Sequence, residues 1–254
     1  NGSWTIQEGS DDLYLLNRVN GKKYKFNLIE DACHGLGGTF NKKKIGACFY
    51  SDISTFSFHP VKNITTGEGG MITTNDKLIY EKLLLLRSHG INKNKKKFVN
   101  KILGFNKDKN LNPGYYEMVN LGFNYRITDF QAALGLSQLS KLKKIIKRKR
   151  EIAKIYNKTF SKNKYIEIPK EKINVLHAYH LYTLIIDFKK LGKSRGQIMQ
   201  ELKKKKIGTQ ILYIPIHLQP AYSSLGYSRG ALPETESFGE EILSLPLFPE
   251  LTDQ

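Results

Sequence analysis

"STFSFHPVKNITTGEGGMITTND", residues 54–76, holds a single lysine, Lys62, between a hydroxyl-rich alternating segment and a glycine-rich turn. The chain has 34 lysines, yet from Asp52 to Glu68 only His59, largely neutral at pH 7, accompanies this one as a titratable neighbour. A solvated surface lysine usually sits among other charges. Two readings follow: a loop lysine joining two strands, or an amine kept clear for a reactant. The alternation in "GACFYSDISTFSF" (46–58) predicts a strand before the lysine, and "GGMITTN" (69–75) predicts one after it. "TGEGG" permits close backbone approach and unusual dihedrals, which alone is a weak signal.

Upstream, "YKFNLIEDACHGLGG" (24–38) reads as a short buried strand, Asn27 to Ile29, running into Asp31. Open α/β sheets gather ligand-binding groups at the carboxyl ends of their strands, although a lone Asp there is often only a cap or turn residue. Downstream, a helix is predicted from Asp76 to about Arg87, with Asn75 or Asp76 as its N-cap. Residues 88–123 read as a long surface loop with some local structure. Ile127, Phe130, Leu134, Leu139, Leu142, Ile145, Ile146, Ile152 and Ile155 then fall near a 3.6-residue repeat, predicting one long helix from Thr128 to about Phe160. After "YIEIP" a second, βαβ-like stretch is expected. It has strands in "YHLYTLIID" and "GTQILYIPI", and helices in "SRGQIMQELKKKK" and near "PETESFGEEILSL". Strands alternating with helices imply an α/β architecture, with a boundary near Lys164. That makes residues 1–164 part of a large domain and 165–254 a smaller α+β domain.

With 254 residues and 40% hydrophobic content, the chain has ample means to bury a core. No apolar run is long enough to cross a bilayer, and no signal-peptide pattern is present, so no membrane partner is expected. The two cysteines, Cys33 and Cys48, match neither a disulfide scaffold nor a metal-ligand spacing, which points to a reduced, cytoplasmic protein with no metal. The net charge of +18 raises the question of nucleic acid. Only seven of the 41 basic residues are arginine, whose planar fork suits base and phosphate recognition, and the lysines are scattered without aromatic interleaving. A general lysine bias over solvated faces is the better account.

Asp31, Ser57 and Lys62 together suit pyridoxal phosphate (PLP) chemistry. The aldehyde of that cofactor needs an uncrowded amine, its ring nitrogen needs a carboxylate to stay protonated, and its phosphate needs hydroxyl and backbone N–H donors. Ser57 stands five residues before Lys62, so hydroxyl and amine can reach one small ligand from a single turn.

"EDACHGLGG", "FSFHPVKNITTGEGGMITTND", "LRSHGI", "LGFNYRITDFQAALGLSQL", "YHLY", "YIPIHLQPAY" and "EEILSLPLFPELTD" resemble the DegT/StrS family of PLP-dependent sugar aminotransferases, block after block and in order, from about residue 24 onward. The resemblance implies the type I aminotransferase fold, a mostly parallel sheet with flanking helices and a smaller C-terminal domain. It implies that Lys62 bonds the cofactor and shuttles the proton, that Asp31 pairs with the pyridine nitrogen, and that His34 contacts the phenolic oxygen. It further implies that Ser57 binds the phosphate and that Asn124 reaches the cofactor phosphate of a neighbouring subunit in a homodimer. Tyr213 and His217 in "YIPIHLQ" are candidates for the sugar-nucleotide site, with packing at the domain junction an equal alternative. The forms "GFNYRITDFQAALGLSQL", "GTQILYIPIHLQPAY" and "YYEM" are most similar to the pseudaminic-acid branch. Its members aminate C4 of a UDP-linked 4-keto-6-deoxy-N-acetyl-hexosamine with glutamate as donor.

A related dehydratase is disfavoured, because those enzymes carry histidine where Lys62 stands. The family's N-terminal third, with its phosphate loop and ring-stacking aromatic, has no counterpart here, and residues 1–23 match poorly. The expectation is therefore a chain shortened at the N-terminus and slightly at the C-terminus, which would bind PLP poorly when expressed alone. The competing reading is an inactive family fragment serving as a basic binding or regulatory module.

Overall fold

The computed structural model of the chain describes residues 26–253, preceded by the backbone of strands Trp4–Glu8, Leu13–Asn17 and Lys23–Lys25. The chain divides into two compact units, residues 1–36 with 43–138, and residues 37–42 with 139–254.

In the first unit the strands Ile29–Asp31, Ile53–Ser57 and Gly70–Thr73 form a sheet in that order. The first pair is parallel, with Asp31 opposite Thr55, and the second antiparallel, with Ser57 opposite Gly70. Ser54 and Phe56 point inward while their neighbours are only partly covered, the period-2 pattern that the sequence displays. The buried Ser54 Oγ donates to Glu30 Oε2 at 2.6 Å, so this polar position is satisfied rather than strained.

Two expectations here need correction. The strand read at Asn27–Ile29 lies instead at Ile29–Asp31, and Ile29 is 61% exposed rather than buried. The Leu28 N–H donates to the Asp52 carboxylate instead of a ladder partner, so pairing starts late, and the strand borders the sheet on one side only. The strand read over 46–58 is confined to Ile53–Ser57. Gly46 (φ 86°) and Cys48 (φ 49°) take left-handed backbone angles that a pleated strand cannot contain.

The helix Lys77–Leu86 begins as expected, with Asp76 Oδ1 accepting from the Leu78 and Ile79 N–H groups at 2.6 and 3.0 Å. The segment that follows is more ordered than a plain loop. Phe98 is buried edge-to-face against Tyr115, and the Glu117 carboxylate accepts from the Val99 and Asn100 N–H groups and the Tyr115 hydroxyl.

The long helix is Asp129–Phe160. Its second half buries Ile146, Ile152 and Ala153, whereas Phe130 and Leu136 in its first turns are largely exposed. Ala153 joins Tyr179, Tyr182, Leu184, Ile186 and Leu243 in the core of the second unit. The sheet there runs Ile166–Glu167, Tyr182–Ile186, Ile242–Leu245, and every pairing is antiparallel. The βαβ-like reading is therefore corrected, as is the strand expected in "GTQILYIPI". Only Gln210 pairs, through a single bridge to Ser244, and Pro215 lacks the amide that a ladder would require. The place beside Tyr182–Ile186 is taken by Ile242–Leu245, directly after the helix Pro233–Glu241. Among the described residues no helix is long and apolar enough to cross a membrane.

Lys149 lies on the buried side of the long helix, 4% exposed, with Nζ 3.4 Å from the His180 carbonyl oxygen it donates to. Desolvation lowers its pKa from 10.5 to about 8. A base depressed on folding destabilises the native state most below its folded pKa. Stability therefore rises with pH from about 8 to 10.5, by about 3 kcal/mol for this one group. Lys149→Met is expected to raise the thermal midpoint at pH 7 by several degrees and to flatten that alkaline rise. Circular dichroism melts from pH 7 to 10.5 check this. A lower midpoint at pH 7 in the variant would contradict it.

Candidate cofactor site

Asp31 and Ser57 end two parallel neighbouring strands, so the topology sets a carboxylate and a hydroxyl on one edge of the sheet. Beyond Asp31 the chain turns sharply. The Ala32 N–H donates to the Thr55 carbonyl at 2.9 Å, the Gly35 N–H to the Ala32 carbonyl at 2.8 Å, and the Cys33 N–H back to Asp31 Oδ1 at 3.1 Å. Hydrogen bonding from Cys33, through its side chain and its N–H, lowers the Asp31 pKa; burial opposes it, and the charge on Lys62 adds a smaller lowering. The carboxylate is thus held ionised. The His34 ring is pushed toward its neutral form, first by desolvation and then by the charge on Lys62, with Asp31 opposing. Burial and then the Asp31 carboxylate raise the Cys33 thiol and keep it protonated. The Lys62 charge therefore reaches both the Asp31 carboxylate and the His34 ring.

Lys62 is presented by a closed loop. Its neck is a pair of backbone bonds, Phe58 N–H to Gly69 carbonyl at 2.8 Å and Thr66 N–H to Phe58 carbonyl at 3.0 Å. Inside it the Lys62 N–H donates to the His59 carbonyl at 3.0 Å, and Thr65 Oγ1 donates to the Phe58 carbonyl at 3.1 Å. Gly69 adopts φ 152°, and a Cβ there would run into Thr66 Oγ1, so the turn requires glycine at this point. The Gln131 side-chain amide donates to the Glu68 carbonyl at 2.9 Å, tying the loop to the start of the long helix. Asn63 is 7% exposed and donates its Nδ2–H to the Leu36 carbonyl at 3.1 Å, joining the lysine loop to the turn that follows Asp31 and His34. Ser57 Oγ accepts from the His59 N–H at 3.3 Å, placing the hydroxyl at the root of the same loop.

The remaining predicted residues stand elsewhere. Asn124 bridges Ser88 through its backbone and has an exposed side chain. Tyr213 and His217 belong to the second unit. Tyr213 is exposed, while His217 is 3% exposed with Nε2 2.9 Å from Glu236 Oε1. Glu236 also accepts from the Gly230 and Leu232 N–H groups, so it closes the turn that precedes its own helix. The His217 hydrogen bond, followed by that from Gly230, holds the Glu236 carboxyl below its usual range. A depressed carboxylate stabilises the fold above its unfolded pKa near 4.5 and loses that contribution as pH falls through its lower folded value. Glu236→Gln is expected to lower the melting midpoint at pH 7 and to reduce the loss of stability below pH 4.5. Equal acid sensitivity in both proteins would contradict this. Sequence reasoning missed Asn63, although a short amide directly after an isolated lysine was a usable signal. It also missed Cys33, which nothing in its spacing announced.

A family model described as the DegT/DnrJ/EryC1/StrS aminotransferase family matches residues 13–254. The chain belongs to this family. It is 37% identical to the UDP-4-amino-4,6-dideoxy-N-acetyl-beta-L-altrosamine transaminase of Campylobacter jejuni over 91% of this chain and 56% of that protein. Among solved structures it is similar to Helicobacter pylori PseC, an aminotransferase involved in the biosynthesis of pseudaminic acid. The TM-score there is 0.77 at 31% identity, over 90% of this chain and 56% of that one. A Streptococcus pneumoniae structure assigned as a sugar aminotransferase, in its PLP form, gives TM-score 0.76 at 28% identity over 90% and 54%. The DegT-family chain described here spans between 56% and 58% of the length of the curated relatives it matches. These neighbours have the type I aminotransferase fold, a mixed sheet with flanking helices.

Family aminotransferases use pyridoxal phosphate, and the donor set here fits it. An ionised carboxylate, a half-buried lysine amine and a hydroxyl at the loop root would suit the ring nitrogen, the aldehyde and the phosphate.

Proposed function

We propose that this chain carries the cofactor-binding core of a PLP-dependent aminotransferase acting on a nucleotide sugar. We assign the substrate as a UDP-linked 4-keto-6-deoxy-N-acetyl-hexosamine aminated at C4, with glutamate as donor. The single observation that carries the reading is that a parallel strand pair ends in Asp31 and Ser57 at one edge of the sheet, with the Lys62 loop bonded to the turn after Asp31 and His34 through Asn63. The bound cofactor supplies an electron sink for the carbon whose proton is moved.

The protein's own groups do the rest. Asp31, kept ionised by Cys33, holds a proton on the pyridine nitrogen. The neutral His34 ring donates to or packs beside the phenolic oxygen. Ser57 Oγ hydrogen-bonds the phosphate. The Lys62 amine would hold the aldehyde and would be the group that moves the proton at the reacting carbon. Asn124 serves a second copy's phosphate in a homodimer, consistent with its exposed side chain and with exposed Leu121, Phe123 and Phe130 close to it in sequence. Tyr213 is assigned to the sugar nucleotide. The protein is placed in the cytoplasm, where nucleotide sugars for surface polysaccharides are made.

The test is amino transfer itself. With the chain joined to the family's N-terminal third, which supplies the phosphate loop, incubation with PLP, glutamate and a UDP-4-keto-6-deoxy-N-acetyl-hexosamine should give a 4-amino sugar by NMR, with 2-oxoglutarate released in equal amount. Formation of 2-oxoglutarate with other keto sugars but not this one would overturn the substrate assignment.

A further inference from the structure

We propose that Asn63 is the positioning residue that sets the Lys62 amine against Asp31 and His34. The inference rests on the functional reading above, in which Lys62 is the cofactor lysine. Lys62 is half-buried; bonds among residues 58–69 shape its loop and Gln131 ties Glu68 to the long helix, but these bonds do not reach the turn that carries His34. The turn carrying His34 is built separately, from Asp31, Ala32, Cys33 and Gly35. Asn63 joins the two side by side. It neighbours Lys62, is 7% exposed, and spends its amide N–H on the Leu36 carbonyl at 3.1 Å, two residues beyond His34.

A buried amide in that place is costly unless it is bonded, so the bond has one preferred geometry and fixes the spacing of the loop and the turn. Ile64, also buried, follows directly and seals the loop without a polar link. Packing alone would require no amide at 63. Reaction at the cofactor aldehyde depends on amine placement within about an ångström, which a single side-chain bond between two loops can supply.

The experiment compares the chain with Asn63→Ala, Asn63→Leu and Ile64→Val. Each protein is incubated with pyridoxal phosphate and reduced with borohydride. The lysine amine condenses with the aldehyde, water leaves, and hydride adds to the resulting carbon–nitrogen double bond. After digestion, mass spectrometry reads the pyridoxyl label on Lys62 relative to surface lysines of the same molecule.

Asn63→Ala and Asn63→Leu should both lose about tenfold in Lys62 labelling, with surface lysines unchanged, while Ile64→Val stays within about twofold of the parent. Parental labelling in Asn63→Leu, which keeps the branched shape but not the donor, would show a packing role and overturn the proposal. So would an equal loss in Ile64→Val, which would mark general loosening of the loop. If the parent itself shows no preference for Lys62, the functional reading falls, and this inference with it.

Discussion

Replacing Lys62 with alanine is expected to remove covalent attachment of the cofactor and to lower amino transfer by more than about 10³-fold, with the fold intact. Lys62 is half-buried at the tip of a loop whose neck and inner bonds come from other residues, so its side chain is dispensable for the loop's shape. No other lysine lies between Lys44 and Lys77 to replace it. The check has two parts: the visible absorbance of the cofactor-bound protein, which should vanish, and the melting midpoint, which should stay within a few degrees. A variant that kept the visible band would assign the amine elsewhere.

Asp31→Asn should behave differently. The amide keeps the size of the side chain and can still accept from the Cys33 N–H, so the turn at residues 31–36 should survive. What is lost is the negative charge. In the parent the charge is protected by the Cys33 side-chain and backbone bonds and by the nearby charge of Lys62. A neutral amide cannot hold a proton on a pyridine nitrogen, so the ring no longer draws electrons from the reacting carbon. Cofactor should still bind while turnover drops by about 10²–10³-fold. Without Asp31 the His34 ring also loses a charge that favours its protonated form, so its pKa should fall further. Near-normal turnover in the variant would reduce Asp31 to a turn residue.

Local chemistry was the readable part of this sequence. The Asp76 cap, the Lys77–Leu86 helix and the Asp129–Phe160 helix follow from patterns that extend over ten residues or more. Asp31 was legible as a strand-end group and Ser57 through its spacing from Lys62; that a parallel pair sends both to the same edge is seen only in the structure. Non-local pairing was not legible. The residues of "GTQILYIPI" alternate well enough for a strand, yet the place beside Tyr182–Ile186 went to Ile242–Leu245, more than fifty residues along the chain. No local pattern can register that competition. Burial was misread at Ile29 for a related reason: an apolar residue in a strand is covered only if another element packs on its face, and Ile29 stands 61% exposed. His34 carried no signal of its own, since a histidine in a turn has no period to betray it. Its role came from family resemblance, and the charges of Asp31 and Lys62 that reach it became visible only in three dimensions.

The central claim is that Lys62, of 34 lysines, is the one built to meet an aldehyde. Peptide mapping of the borohydride-reduced complex with pyridoxal phosphate tests it most directly. The account predicts that the pyridoxyl group is found on the peptide containing "HPVKN", on Lys62, well ahead of every other lysine. A label concentrated on a different lysine, or spread evenly among the surface lysines, would contradict it.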